Sequence, residues 1–214
     1  MSARTVVVAL LMLVATRVDA PRISGGVQYA FAEYAEQGAT LHFDGAGSSA
    51  YVALGWRRFD ISYSAARLAF VPSAAGDVTE PFDVTQTDLT LRIRATRLVS
   101  VEAGFLNRDV RPLNAAQSVA AMRLGAVMAI PLAAGADVAV RANYLAGSKF
   151  SGGGTAPFGV EIGLGVSYAP WWERVRLTGD LDFLRLDRRI TTTQGPIPSP
   201  IQTSTARLGV MLAY

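Results

Sequence analysis

The stretch RLGVMLAY, from Arg207 to Tyr214, ends the sequence with a strict alternation of side-chain type. Its large apolar residues are Leu208, Val210, Leu212 and Tyr214, and the residues between them are charged, small or flexible. A period of two is typical of a β-strand that has one apolar face. Terminal residues of soluble domains are usually polar and frayed. An apolar strand that reaches an aromatic final residue therefore predicts a segment held in a sheet at an apolar boundary.

The same period of two recurs through most of the chain and predicts ten strands. They are expected near residues 26–35, 48–57, 59–67, 84–94, 98–106, 119–130, 136–146, 158–168, 174–186 and 205–214. The alanine-rich run 119–130 fits a buried helix by composition alone. Because Met122, Leu124 and Met128 share one parity, we assign this run to a strand. If 119–146 is misassigned, the count falls to eight strands.

The connections between these strands alternate in length. Long ones rich in loop residues are expected near 36–47, 68–83, 107–118, 147–157 and 187–204, and short turns near 58, 95–97, 131–135 and 169–173. An up-and-down meander then carries its long loops at one end and its tight turns, with both chain ends, at the other. The aromatic residues divide in the same way, with Trp56, Tyr168, Trp171, Trp172 and Tyr214 at the turn end and Tyr144, Phe158 and Phe183 near the loop end.

Composition excludes several classes of protein. Half of the 214 residues are apolar and the mean hydropathy is +0.27, yet no run approaches the ~20 apolar residues of a spanning helix. The chain has no cysteine, which excludes disulfides, thiolate metal ligands and a lipid-anchored N-terminal cysteine. The net charge of +3 is small and dispersed, so we expect no nucleic-acid partner. No cluster of metal ligands occurs, and we expect no cofactor.

The N-terminal segment has the parts of an export signal. Arg4 precedes the apolar run 6–15, and Val18 and Ala20 follow it in an A-x-A-like pattern. This order predicts a secretory signal peptide over residues 1–20, although Pro21 makes the cleavage position uncertain. The remaining residues, 21–214, are predicted to form one domain.

With these features the chain resembles the small bacterial outer-membrane β-barrels. The resemblance implies an all-β fold, a closed antiparallel up-and-down transmembrane barrel in the outer membrane, in contact with its lipid. It also implies that Leu208, Val210, Leu212 and Tyr214 form the C-terminal signal that the barrel-insertion machinery reads, with Tyr in place of the usual Phe. The aromatic residues named above would form two girdles at the membrane interfaces. A soluble, lipocalin-like barrel with the apolar face inside is the competing interpretation.

The polar faces of the strands carry nearly balanced charges, which favours an enclosed network lining the lumen. Its predicted members are Arg57, Asp60, Asp88, Arg92, Glu102, Arg123, Arg141, Glu161, Arg176, Asp180, Asp182 and Arg207. Buried charges must be paired. Pairing each hairpin around its connection places Arg57 opposite Asp60, Glu102 opposite Arg123, and Arg141 opposite Glu161. Asp180 and Asp182 share a face, where ion pairing with Arg176 and Arg207 is favoured over proton sharing or cation binding.

Two classes of function remain after this reading. The first is a non-catalytic barrel, either a narrow pore for small solutes or a structural and surface-interaction protein acting through its long outer loops. The second is a membrane-embedded hydrolase or acyltransferase that uses His42, with Asp44 two residues on, in the first outer loop. Ten strands with a loop-borne His and Asp are similar to the omptin proteases, but no second motif supplies further catalytic carboxylates. The non-catalytic class is favoured.

Overall fold

The computed structural model describes residues 21–36, 41–73, 80–112, 114–132, 135–170, 172, 174–193 and 195–214. The predicted signal peptide, residues 1–20, lies outside these ranges and stays a prediction. Within the described residues, no helix has the length and apolar character needed to cross a membrane.

Ten long strands and four short elements make up the described chain. The long strands are β1 (Arg22–Glu36), β2 (Leu41–Trp56), β3 (Phe59–Pro72), β4 (Phe82–Arg94), β5 (Val99–Arg111), β6 (Val119–Pro131), β7 (Ala136–Phe150), β9 (Gly159–Tyr168), β10 (Val175–Leu186) and β13 (Ile201–Ala213). The short elements are the 3₁₀ turn η1 (Ala115–Gln117) and the strands β8 (Thr155–Ala156), β11 (Arg189–Thr192) and β12 (Gly195–Pro198).

The long strands close on themselves as an antiparallel barrel. Strand β1 pairs with β2 on one side and with the last strand, β13, on the other, so the sheet closes and β1 has no free edge. Following paired residues around the barrel from Ile23 leads back to β1 at Ala35, 12 residues further along. For ten strands, a stagger of this size corresponds to a strand tilt of roughly 40°. The predicted ten-stranded barrel is confirmed, and residues 119–131 are one of its strands.

The strands are longer at the loop end than the alternation predicted. Strand β2 begins at Leu41 instead of residue 48, β3 continues to Pro72, and β5 continues to Arg111. The first outer connection is therefore residues 37–40, which the structure does not describe, and not the predicted 36–47. The four tight turns fall where they were expected.

The outer face of the barrel carries a continuous apolar belt. Large apolar side chains such as Val27 and Phe105 are 66% and 59% exposed. A soluble protein rarely exposes so large a continuous apolar surface to water. On β1 the belt ends between Phe31 and Glu33, and on β5 it ends between Phe105 and Asn107. Because the strands run on past this limit, the loop end of the barrel projects beyond the belt.

The inner face changes character at the same height. Toward the turn end it is polar, as the sequence predicted for the whole lumen, but at the loop end it is apolar and densely packed. On β1 the inward residues there are Ala30, Ala32 and Tyr34, whose parity is opposite to that of the outward Tyr29 and Phe31. In β2, β3 and β5 the predicted strands stopped at this switch in apolar parity, short of the observed ends.

Candidate functional site in the barrel lumen

A network of charged side chains crosses the middle of the lumen. At its centre, Arg123 on β6 places Nη2 2.8 Å from Asp88 Oδ1 on β4 and Nε 2.7 Å from Glu161 Oε2 on β9. The Nε contact is ionic and poorly aligned for hydrogen bonding. The hydrogen bond to Glu161 runs instead from Nη2 to Oε1 over 3.1 Å. Arg123 and Glu161 are each only 4% exposed, so their charges depend on each other for stabilisation.

The network continues toward the seam of the barrel. Arg141 on β7 places Nη2 3.4 Å from Glu161 Oε1 and also contacts Asp182 on β10. Asp182 in turn accepts a hydrogen bond from Arg207 on β13. The chain of alternating charges therefore runs without interruption from Asp88 to Arg207 and ties together strands that are not neighbours in the sheet.

Smaller polar groups complete the lining. Glu102 pairs with Arg92, Nη2 to Oε2 at 3.0 Å, and accepts a hydrogen bond of 2.7 Å from Asn143 Nδ2. Asp180 accepts a hydrogen bond of 2.5 Å from Gln28 Nε2. Sequence reasoning assigned no role to Asn143 or Gln28. Their inward parity on β7 and β1 was the only available signal.

Arg176 and Asp180 have different partners from those expected. Arg176 pairs with Asp137, the second residue of β7, which no sequence pattern had singled out. Of the two neighbouring carboxylates, Asp182 alone forms an ion pair with Arg207.

The predicted cross-strand registers were wrong by two residues. Gly55 lies opposite Asp60, Glu102 lies opposite Gly125, and Arg141 lies opposite Gly163. An even shift preserves which face a residue occupies, so the lumen assignment survives the error. Arg57 is the exception, because it lies in the tight turn, with φ 54°, and its guanidinium stacks on the Trp56 ring at 5.1 Å. Asp60 lines the lumen.

A cavity of about 780 Å³ occupies the polar part of the lumen. The charged network lines its inner end, and the exposed side chains of Arg22, Arg94, Arg174 and Tyr214 line its mouth at the turn end. None of the apolar residues packed at the loop end lines it. The cavity is therefore a cup that opens at the turn end.

Gly163 shows how tightly the network fills its part of the cup. A Cβ atom built on Gly163 would lie 3.1 Å from Arg141 Nη2 and would clash with the carboxylate of Asp182. Gly163 lies on β9, between the strands that carry Arg141 and Asp182. The close contact of these two side chains over it therefore requires glycine at this position.

An apolar plug fills the lumen at the loop end. Its centre is four aromatic side chains from β1 to β4, Tyr34, Phe43, Phe70 and Phe82, each no more than 2% exposed. Phe82 lies 4.8 Å from Phe43 and 5.1 Å from Phe70 between ring centroids. Around them pack Leu68, Val84, Leu106, Val110, Val119, Leu145, Phe150, Leu184, Leu186 and Ile201. The sequence analysis did not identify this plug.

Buried polar groups tie the outer connections into the plug. Gln117 of η1 accepts a hydrogen bond from the Tyr34 hydroxyl and donates one to Glu36. The Ser199 hydroxyl donates to the other oxygen of Glu36 at 2.5 Å. Arg108 donates to Thr203 Oγ1 at 2.7 Å and lies 5.4 Å from the Tyr34 ring centroid. The connections 112–118 and 187–200 are thereby anchored inside the barrel mouth.

The predicted interface aromatics lie on the outer face. Those with exposed side chains are Trp56, Tyr144, Phe158, Tyr168, Trp172, Phe183 and Tyr214; Trp171 lies outside the described residues. Tyr144 and Phe158 contact each other at 6.1 Å. Their role at the two membrane interfaces stays a prediction.

The C-terminal strand forms the seam of the barrel. Leu208, Val210, Leu212 and Tyr214 all point outward from it. Its last residue is fixed by two backbone hydrogen bonds with Ile23, of 2.8 and 3.0 Å. Recognition of these residues by the insertion machinery stays a prediction.

His42 and Asp44 lie on the outer face of β2 and not in a loop. Both are exposed and point away from the cup. Among the described residues, no group of three or more His, Asp or Glu side chains is placed to hold a metal ion. The structure does not bring His42 together with further catalytic groups in its described part.

No protein-family model and no curated protein matches this chain in sequence. Solved structures do match in fold. The outer membrane protease OmpT from Escherichia coli aligns with a TM-score of 0.52 and 8% identity, over 94% of this chain and 99% of its own. The COG4313 outer membrane channel from Pseudomonas putida F1 aligns with a TM-score of 0.51 and 9% identity, over 94% and 97%. Identities this low show the fold alone.

The closed antiparallel barrel, the apolar belt on its outer face and the shared architecture of these structures lead to one conclusion. The chain has the fold of the bacterial outer-membrane β-barrels, and its belt places it in that membrane.

Proposed function

We propose that this protein is a non-conducting outer-membrane barrel that acts as a structural or surface-interaction protein through its outer end. The observation that carries the proposal is the plug around Tyr34, Phe43, Phe70 and Phe82, which are almost fully buried inside the barrel. Tight turns of such barrels face the periplasm and longer loops face outward. The plug therefore lies on the outer side and the cup opens to the periplasm.

A pore requires a continuous path of water through the lumen. Here the cup stops at the charged network around Arg123 and Glu161. Beyond it lies the packed apolar cluster, and buried polar groups there such as Glu36 and Gln117 are hydrogen-bonded to one another. Interiors packed in this way leave few voids larger than a water molecule. The narrow-pore interpretation of the sequence is therefore the less favoured of the two non-catalytic functions.

The outer end provides a rigid surface for interaction. Strand β1 continues for five residues beyond Phe31, where the belt ends. At roughly 3.3 Å per residue and a tilt of roughly 40°, this extension projects the strand about 12 Å beyond the belt. Short strands β8, β11 and β12 pair with one another and with β7 at this end. Binding residues are often carried on loops held by such a rigid scaffold.

Planar-bilayer recording tests the proposal. Folded protein is selected by its shift in gel mobility on boiling and is added to a bilayer in symmetrical salt. We expect no unitary current steps from the wild type. A Tyr34→Ala/Phe82→Ala variant removes two rings from the plug and should show steps or leak current if it folds.

The control replaces a belt residue of similar size, Phe105→Ala, and should stay silent like the wild type. Discrete steps from the wild type, with an ion selectivity that changes in Arg123→Ala, would contradict the proposal and establish a narrow pore. The absence of current steps from the folded wild type and from the folded Phe105→Ala control would agree with a closed lumen, whether or not the Tyr34→Ala/Phe82→Ala variant folds.

A further inference from the structure

The turn end of the barrel carries an excess of exposed arginine. The six residues are Arg22, Arg57, Arg58, Arg94, Arg97 and Arg174, which we call the arginine collar. They come from the start of β1, the end of β4 and three connections. Described acidic residues at this end are Asp60 and Asp137, and Asp137 already pairs with Arg176. The sequence adds Glu173 to the connection between β9 and β10. The collar thus leaves this end strongly positive.

The loop end has no such excess. Among the described residues there, basic and acidic groups balance. Arg67 pairs with Asp83 at 3.0 Å, Arg111 with Asp109 at 2.8 Å and Arg185 with Asp187 at 2.8 Å. Lys149 and Arg189 are exposed without an ion pair, and so are the carboxylates of Glu33, Asp44 and Glu80. In contrast, no described carboxylate forms an ion pair with Arg22, Arg58, Arg94, Arg97 or Arg174. The net excess of positive charge in the described chain therefore lies at the turn end.

The collar lies beside the last aromatic residues of the belt. The guanidinium of Arg57 is 5.1 Å from the Trp56 ring and that of Arg174 is 5.8 Å from the Tyr214 ring. Exposed tryptophan and tyrosine favour the boundary between lipid and water. Stacking on them fixes these cations at the depth where lipid head groups lie.

The turn that carries Arg57 and Arg58 is also an unusual place for such residues. Arg57 has a left-handed backbone, with φ 54°, where glycine, asparagine or aspartate is preferred. A backbone outlier of this kind is a reason to look for a function of its side chain.

We propose that the arginine collar binds the phosphate groups of anionic phospholipids in the membrane leaflet at the turn end. Guanidinium groups bind phosphate oxygens through paired, charge-assisted hydrogen bonds. Arg57, Arg58 and Arg97, the collar members that do not line the cup, would select anionic over zwitterionic lipid around the barrel. The barrel is then anchored at fixed depth from the periplasmic side, a role beyond the proposed function at its outer end.

Tryptophan fluorescence reads out this end of the barrel specifically. All three tryptophans, Trp56, Trp171 and Trp172, lie in or beside the turn-end connections. Folded protein is inserted into vesicles in which dibrominated phosphatidylglycerol or dibrominated phosphatidylcholine replaces unlabelled lipid stepwise. Because bromine quenches tryptophan on contact, the two quenching curves give the relative affinity of the two lipids for this surface.

We expect phosphatidylglycerol to be preferred about fivefold or more at low salt, and the preference to fall as salt screens the charges. The variant Arg57→Gln/Arg58→Gln/Arg97→Gln should remove most of it. The matched control, Arg67→Gln/Arg111→Gln/Arg185→Gln, changes the net charge equally at the loop end and should keep it. Arg97→Gln, a single change in the connection between β4 and β5 outside the cup, serves as a second test if the triple variant does not fold.

Equal quenching by the two lipids in the wild type would overturn the proposal. So would an equal loss of preference in the two triple variants, since net charge alone would then explain it. Competition by inorganic phosphate, compared with chloride at the same ionic strength, would assign the site to a free anion in the cup instead of a lipid.

Discussion

The two ends of this barrel differ in almost every physical property, although the same ten strands build both. At the turn end the lumen is polar, open and lined by ion pairs, and the rim is positive. At the loop end it is mainly apolar, closed by aromatic rings such as Phe70 and Phe82, and the exposed charges there carry no excess of arginine. The change falls where the outer belt ends. The polarity of the inner face thus follows the position of the membrane. The side chains that fill the lumen are polar at the height of the outer apolar belt and mainly apolar beyond it.

Removing the central cation should have the largest effect. Arg123→Ala leaves the buried carboxylate of Asp88 without its cation and that of Glu161 with Arg141 alone, so the free energy of unfolding should fall by about 3–5 kcal/mol. Urea unfolding in detergent micelles, followed by gel mobility without boiling, measures it. Arg94→Ala at the cup mouth is the control and should stay within about 0.5 kcal/mol. An equal loss of unfolding free energy in the two variants would mean that burying the charged network does not contribute to the stability of the barrel.

The plug should be the next most sensitive region. Phe70→Ala opens a cavity among buried rings and should lower the free energy of unfolding by about 3 kcal/mol. The same urea titration applies, with the lipid-facing Phe105→Ala as control. If Phe105→Ala lowered the free energy of unfolding as much as Phe70→Ala does, the plug would be no better packed than the belt.

A substitution inside the cup tests how closely the network is packed. Gly163→Ala places a methyl group against Arg141 and Asp182 and should cost about 1–3 kcal/mol. Gly179→Ala, on the neighbouring strand but facing outward, meets the flexible Leu208 side chain at 3.3 Å and the Arg207 carbonyl oxygen at an ordinary 3.9 Å, and should cost less. The reverse order of stabilities would contradict the inward placement of Gly163.

The smallest effect is expected at His42. His42→Ala removes an exposed side chain and should change stability by no more than about 0.5 kcal/mol. The folded wild type and variant should show the same background rate with a fluorogenic ester and with a dibasic peptide substrate. Hydrolysis by the wild type that disappears in the variant would instead establish the hydrolase interpretation.

The sequence predicted the barrel because one parity of each strand is apolar over the membrane span, as in Leu208, Val210 and Leu212. It did not predict the plug, because an alternation with apolar residues at one fixed parity no longer holds where the apolar residues switch to the inward face. Tyr34 on β1 and Phe70 on β3 have the parity opposite to that of the earlier apolar residues on their strands. Phe70 lies outside its predicted strand, and Tyr34 lies within its predicted strand, where parity alone did not identify it as a residue that fills the lumen.

Within the lumen, sequence reasoning placed the charged residues on the right face but paired them incorrectly. Register depends on turn geometry and on strand lengths that were underestimated. The contacts of Arg123 also join strands separated by another strand, β4 to β6 and β6 to β9. Such contacts depend on the curvature of the closed barrel, which no single hairpin encodes.

The seam between β1 and β13 gives the assembly of this protein a definite order. Ser24 pairs with Ala213, and Glu36 with Ile201, so this ladder joins residues from opposite ends of the described chain. Contacts so distant in sequence form slowly, because a long loop must close first. Until they form, the edges of β1 and β13 stay unpaired and open to other chains. The slowest step of folding should therefore be closure of this seam, and a chain stopped before it is the form most prone to aggregate.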